Sequence, residues 1–193
     1  SYSTDVDIFN MSYGQGSFSG FSLGGANSSF WDQVQSGTSS LRSGKGAIYV
    51  KSAGNGFNTG TDLFCGSSSI SRLSCQETAI EANETQPYTI IVGALNADGT
   101  KSDYSTTGAI NWISGFGGEY GNNSSHSGGS TGLNKPAITT VDQSSCSKGY
   151  ARTGVNPGSG ANLNSFNDQG NHSENTSCNY ASTFNGTSSA APT

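Results

Sequence analysis

Two short segments hold the residues best placed to do chemistry. Near its end the chain reads Asn185-Gly186-Thr187-Ser188-Ser189-Ala190-Ala191-Pro192. Small residues around a serine let the backbone turn tightly and let a helix begin at that serine, where helix amides and dipole favour developing negative charge. A serine so placed suits nucleophilic chemistry, although in a chain rich in Ser and Gly the same run also serves as a plain turn. The second segment is Lys51-Ser52-Ala53-Gly54-Asn55-Gly56, directly after an apolar run. An asparagine amide just after a strand end is a hydrogen-bond donor at the edge of the sheet where ligands of such folds lie. The alternative for an Asn-Gly pair is a hairpin turn, but no complementary strand pattern follows Gly56. The two histidines, His126 (SSHSG) and His172 (GNHSE), lie in polar stretches and read as solvated loop residues. Glu77, Glu81, Glu84 and Glu119 are hard oxygen ligands of the kind calcium takes, yet they show no coordinating spacing and read as surface carboxylates. No metal ligand is assigned, and structural calcium is the one cofactor the sequence leaves room for.

The four cysteines, Cys65, Cys75, Cys146 and Cys178, form no CxxC pair, and neither histidine stands near one at zinc-finger spacing. Disulfides fit better than metal. The sequential pairing, Cys65–Cys75 and Cys146–Cys178, is expected because each pair encloses its own Gly/Ser/Asn-rich loop, and disulfides imply an oxidising compartment outside the cytoplasm. The 193 residues include 28 glycines, 31% hydrophobic and only 11% charged residues, against about 25% charged in an average soluble domain. Charge-driven disorder is thereby excluded, and adding glycine to the hydrophobic set leaves enough to build a core. A formal net charge of −5 offers no basic surface for nucleic acid or anionic lipid. No apolar run approaches the ~20 residues needed to cross a bilayer.

These residues must be held by elements, and the apolar pattern supplies them. Asp5 to Tyr13 reads as a buried strand ending at Gly14. Asn27 to Arg42 carries Phe30, Trp31, Val34 and Leu41 at near-helical spacing, with Asn27 or Ser28 as N-cap and Gly44 as a stop. Strands follow at Gly46 to Ser52 and Tyr88 to Leu95, with weaker ones at Ile110 to Ser114 and Ala137 to Val141. Strand, helix, strand with apolar strands predicts an α/β fold with a mainly parallel sheet, whose ligands lie outside the carboxyl ends of the strands. Both reactive segments fall just after or beside such ends. The polar stretches 57–83, 117–135 and 144–183 are too long for ordinary connections and read as loops; no fixed-period repeat is visible.

The octapeptide at Ser188 resembles the GTSxAxP signature around the nucleophilic serine of subtilisin-like serine proteases, the subtilases, with Ser188 rather than Ser189 in the nucleophile's place. Ser52-Ala53-Gly54-Asn55 is similar to the SAGN segment of that family, whose Asn amide donates to the oxyanion. Asp7 to Gly14, DIFNMSYG, resembles the strand ending in S-x-G along which the substrate main chain pairs. VGALNADGTKSDYSTTG at Val92 to Gly108 and ISGFGGEYG at Ile113 to Gly121 fill the places of two further family stretches. GAIYVKSAGNG and PAITTVDQSSC look most like the kexin and proprotein-convertase branch.

The resemblance implies a subtilisin-like α/β fold, a mainly parallel sheet flanked by helices with long disulfide-closed loops. It implies peptide-bond hydrolysis with Ser188 as nucleophile and Asn55 as oxyanion donor. Ser12, Tyr13 and Gly14 would pair with substrate, and Ser52, Ala53 and Gly54 would form a wall of the pocket for the residue before the cut. The family's Asp strand and its HGTxVAG histidine helix are both absent, so residues 1–193 are expected to be a partial catalytic domain, truncated at both ends and inactive alone. No cofactor is needed for the chemistry. Expected partners are a polypeptide substrate and a pro-region of the same protein, with neither nucleic acid nor a membrane segment, in a secreted protein. Dibasic specificity is not carried over, since no carboxylate follows Gly14 in QGSFSGFSLGG. Two rival classes remain: a catalytically dead subtilase-like binding scaffold, and a secreted Ser/Thr/Asn-rich adhesion or carbohydrate-binding module.

Overall fold

The computed structural model describes residues 4–14, 28–57, 86–119, 121, 136–152 and 165–193. They divide into two compact units, one formed by Ser1–Ala94, Asp103–Gly115 and Thr187–Thr193, the other by Leu95–Ser102 and Phe116–Gly186.

The first unit is built on strands β1 (Ile8–Met11), β2 (Ile48–Ser52), β3 (Ile90–Leu95) and β4 (Asn111–Phe116), adjacent in that order. β1 pairs with β2 and β2 with β3 in parallel, the arrangement expected from apolar strands separated by a helix. Neighbouring side chains of a strand point to opposite faces, so Tyr49 and Val50 serve different cores. On one face α1 (Ser28–Gly44) covers Met11, Ala47 and Tyr49 with its Trp31 and Val34, and Phe9, Phe30 and Leu41 complete the cluster. Phe9 and Tyr49 stack with ring centroids 4.8 Å apart. On the other face a short helix, α2 (Thr187–Ala190), sets Ala190 and Ala191 against Val50, Ile90, Val92 and Ala94.

Two expectations about these elements need correction. The run Asp5 to Tyr13 is strand only over Ile8–Met11, and β1 is an edge strand among the described residues, with Ile8 59% exposed rather than buried. Helical dihedrals in α1 stop before Gly44: Leu41 has ψ 164°, and Arg42 and Ser43 have φ of 55° and 58°. These left-handed residues turn the chain so that Gly46 N–H reaches Leu41 O at 2.9 Å and Ala47 N–H reaches Gly37 O at 3.0 Å. Arg42, brought round by that turn, forms an ion pair with Asp7.

The second unit contains β5 (Ile138–Val141) and β6 (Tyr180–Phe184), antiparallel with a bulge between Ile138 and Thr140. β6 lies largely within the stretch 144–183 that the sequence presents as loop. Asn175 accounts for its start, accepting Tyr180 N–H and donating to Phe166 O and Tyr180 O. Cys146 and Cys178 form the expected disulfide, whereas Cys65 and Cys75 lie outside the described residues. Glu119 is not a surface carboxylate. It is 1% exposed, its Oε1 accepts Asn96 Nδ2 at 3.2 Å, and its backbone oxygen accepts Asn185 Nδ2 at 2.8 Å.

Candidate active site

The C-terminal ends of β1 and β2 and the first turn of α2 bring Ser12, Asn55 and Ser188 together within the first unit. At the end of β2 the chain continues along β3 through Ala53 N–H to Val92 O at 3.0 Å. Gly54 then takes φ 92°, a left-handed conformation open to glycine at little cost. Its carbonyl accepts Thr106 N–H at 3.0 Å and its N–H donates to Thr187 Oγ1 at 3.1 Å. That turn places the exposed Asn55 beside α2. Asn55 Oδ1 accepts both Thr187 N–H, at 2.8 Å, and the Thr187 hydroxyl, at 2.9 Å. A backbone N–H is only a donor, so the amide oxygen must face Thr187 and the NH₂ group is left as the outward end.

Ser188 is half-buried, while its neighbour Ser189 is 2% exposed, and this burial separates two serines that look alike in sequence. The Ser188 hydroxyl lies 3.4 Å from the Ser12 carbonyl, longer than a good O–H···O bond. In return the Ser12 hydroxyl donates to Ser188 O at 2.7 Å and accepts Asn10 Nδ2 at 2.9 Å. The nucleophile candidate is therefore fixed firmly through its backbone and loosely through its hydroxyl. Ser12 and Thr187 do this positioning, and neither role was readable from the motifs alone.

Tyr13 and Gly14 are exposed beyond β1, and the side chains of Ser52 and Ala53 are buried, so these two offer only main chain to a pocket. A cavity of about 910 Å³ lies along α1, lined by Phe9, Met11, Tyr13, Phe30, Leu41 and Tyr49 among others; neither Asn55 nor Ser188 borders it. His172 belongs to the second unit and is half-buried rather than simply solvated, its Nδ1 accepting Glu174 N–H at 3.2 Å and its ring 5.2 Å from that of Phe166. His126, Glu77, Glu81 and Glu84 lie outside the described residues. Among the described residues no three His, Cys, Asp or Glu side chains converge to hold a metal ion, and no helix is long and apolar enough to cross a membrane.

A mainly parallel α/β sheet carrying a serine and an oriented amide at its strand tips defines a class of proteins that bind at the carboxyl edge of the sheet. The chain belongs to the Subtilase family, whose family model matches residues 1–193. It is 32% identical over 193 residues to the Aeromonas extracellular serine protease of Aeromonas sobria, a match covering 98% of this chain and 28% of that protein. A microbial serine proteinase of Aeromonas salmonicida is 32% identical over 149 residues, covering 76% of this chain and 21% of that protein. The crystal structure of the Aeromonas sobria serine protease is similar with a TM-score of 0.69 at 31% identity, over 96% of this chain and 28% of that one. The structure of that protease with its chaperone gives 0.68 at 30% identity, with the same coverage. The chain thus spans less than a third of the length of these relatives.

Proposed function

We propose that this chain is the part of a serine endopeptidase that carries the nucleophile and the oxyanion donor. The observation that carries the reading is the Asn55–Thr187 pair: two bonds to Oδ1 turn the Asn55 amide outward one residue from Ser188. In this reading Ser188 Oγ attacks the peptide carbonyl, and its proton passes to a histidine supplied by polypeptide outside these residues and oriented there by an aspartate. The electron pair of the carbonyl moves to its oxygen, where the Asn55 amide stabilises the charge. Collapse of that intermediate expels the amine, which takes the proton back, and water then releases the acyl group from Ser188. Ser12 to Gly14 pair with the main chain of an extended polypeptide, and the backbone of Ser52, Ala53 and Gly54 borders the side chain before the cut.

Finer assignments belong to the same proposal. GAIYVKSAGNG and PAITTVDQSSC favour the kexin-like branch. Two cysteines already joined and the word extracellular in the name of the Aeromonas sobria relative favour a secreted protein. A relative crystallised with a chaperone favours an accessory or pro-segment partner. The test is labelling of the full-length protein with a fluorophosphonate: label at Ser188, abolished by Ser188→Ala, is expected. Absence of label from folded wild-type protein would instead favour a non-catalytic scaffold.

A further inference from the structure

Lys51 ends its side chain where the proposed chemistry makes no use of a cation. It stands at the C-terminal end of β2, opposite Met11 in the parallel register, and is 3% exposed. Its Nζ donates to the Tyr13 carbonyl at 2.7 Å and lies 5.9 Å from the centroid of the Tyr13 ring. Burying an ammonium is costly unless acceptors compensate it, and a bond from a charged donor is among the stronger hydrogen bonds in a folded protein.

The geometry of the neighbouring carbonyl gives that bond a purpose. The Ser12 carbonyl faces the Ser188 hydroxyl, and the next carbonyl along, that of Tyr13, is turned the other way, onto Lys51. In extended backbone successive carbonyls point to opposite sides, and a strand adds to an edge through the alternate groups that face it. Resting on the protease reading above, we propose that Lys51 is a positioning residue for the polypeptide substrate. By holding the Tyr13 carbonyl inward it fixes Ser12 and Gly14 as the pairing edge. Beyond the end of β1 the Ser12 hydroxyl is tied to Ser188 and Asn10, and Lys51 adds the charged anchor that sets the register of the next residue, Tyr13.

The proposal separates long substrates from short ones, because only a substrate extending several residues before the cut uses the edge. The experiment compares a tetrapeptide amide with an acylated single-residue ester sharing the same residue before the cut, on the full-length protein. Lys51→Met is expected to lower kcat/KM for the tetrapeptide about tenfold, chiefly through KM. The ester and the rate of fluorophosphonate labelling at Ser188 should stay within about twofold of wild type. Lys51→Gln, which keeps a neutral donor, should show a smaller loss of the same pattern, and it carries the test if the methionine variant folds poorly. Equal losses on both substrates, or no loss on either, would overturn the proposal. A folded wild-type protein that cleaves neither substrate and takes no label would overturn the protease reading, and this proposal with it.

Discussion

Asn55 is exposed at a strand tip, yet its amide has a single orientation, because the backbone N–H of Thr187 donates and only the amide oxygen can accept. In the proposed role the amide acts on charge that exists only in the transition state. Asn55→Ala in the full-length enzyme should therefore lower kcat by about 10²–10³ with KM nearly unchanged; steady-state kinetics showing an unchanged kcat would remove Asn55 from the oxyanion role. Thr187→Val keeps the backbone donor and deletes the hydroxyl that bridges Gly54 N–H and Asn55 Oδ1. It should cost about tenfold in kcat alone and nothing further on the Asn55→Ala background, since both act on one amide. The sequence singles out Ser188 and Asn55 through the resemblance of GTSSAAP and SAGN to subtilase motifs, since in this composition a serine among small residues and an Asn-Gly pair are otherwise ordinary turns. Thr187 was not legible, because its partner lies 132 positions away and a threonine beside serines looks like many others. The burial of Glu119 was missed for the same reason, its carboxylate bonding Asn96, 23 positions distant.

Among the elements, α1 was legible from the spacing of Trp31 and Val34, and β2 and β3 from apolar runs that serve two faces. The premature end of α1 was not, since Arg42 and Ser43 in left-handed conformations have no sequence signature. β6 was hidden because Tyr180–Phe184 is short and follows Asn and Ser, and its pairing to β5 is long-range. The approach of α2 to β4 gives a sharp test. A Cβ on Gly115 would overlap the Ala190 carbonyl oxygen and come within 2.6 Å of Thr193 Oγ1. Gly115→Ala should therefore displace α2 and slow fluorophosphonate labelling of Ser188 in the full-length protein by about 10², the scale on which small misplacements act; an unchanged labelling rate would show that α2 yields without moving the serine. Converting Cys146 and Cys178 to serine removes a cross-link spanning 32 positions, so unfolding free energy should fall by about 2–4 kcal/mol, measurable by denaturant titration. No change would mean that the second unit is held by its β5–β6 ladder and asparagine bonds.

Across the whole molecule, family and fold were readable, while the distribution of the chain between two units was not. The 193 residues contain no HGT histidine motif, and a serine hydroxyl without a base is almost wholly protonated near neutral pH. The chain alone should take no fluorophosphonate label, whereas the full-length protein should label at Ser188; strong labelling of the separate chain would mean that it contains a base of its own. The two-unit division also carries a consequence for biosynthesis. Thr187–Thr193 belongs with a core whose other residues end at Gly115, and Phe116–Gly186 is assigned elsewhere. Emerging from the ribosome at about 5–20 residues per second, the chain presents β1 to β4 several seconds before residues 187–193 follow. The apolar face of β2 and β3 that Ala190 and Ala191 cover therefore stays open until residues 187–193 have emerged.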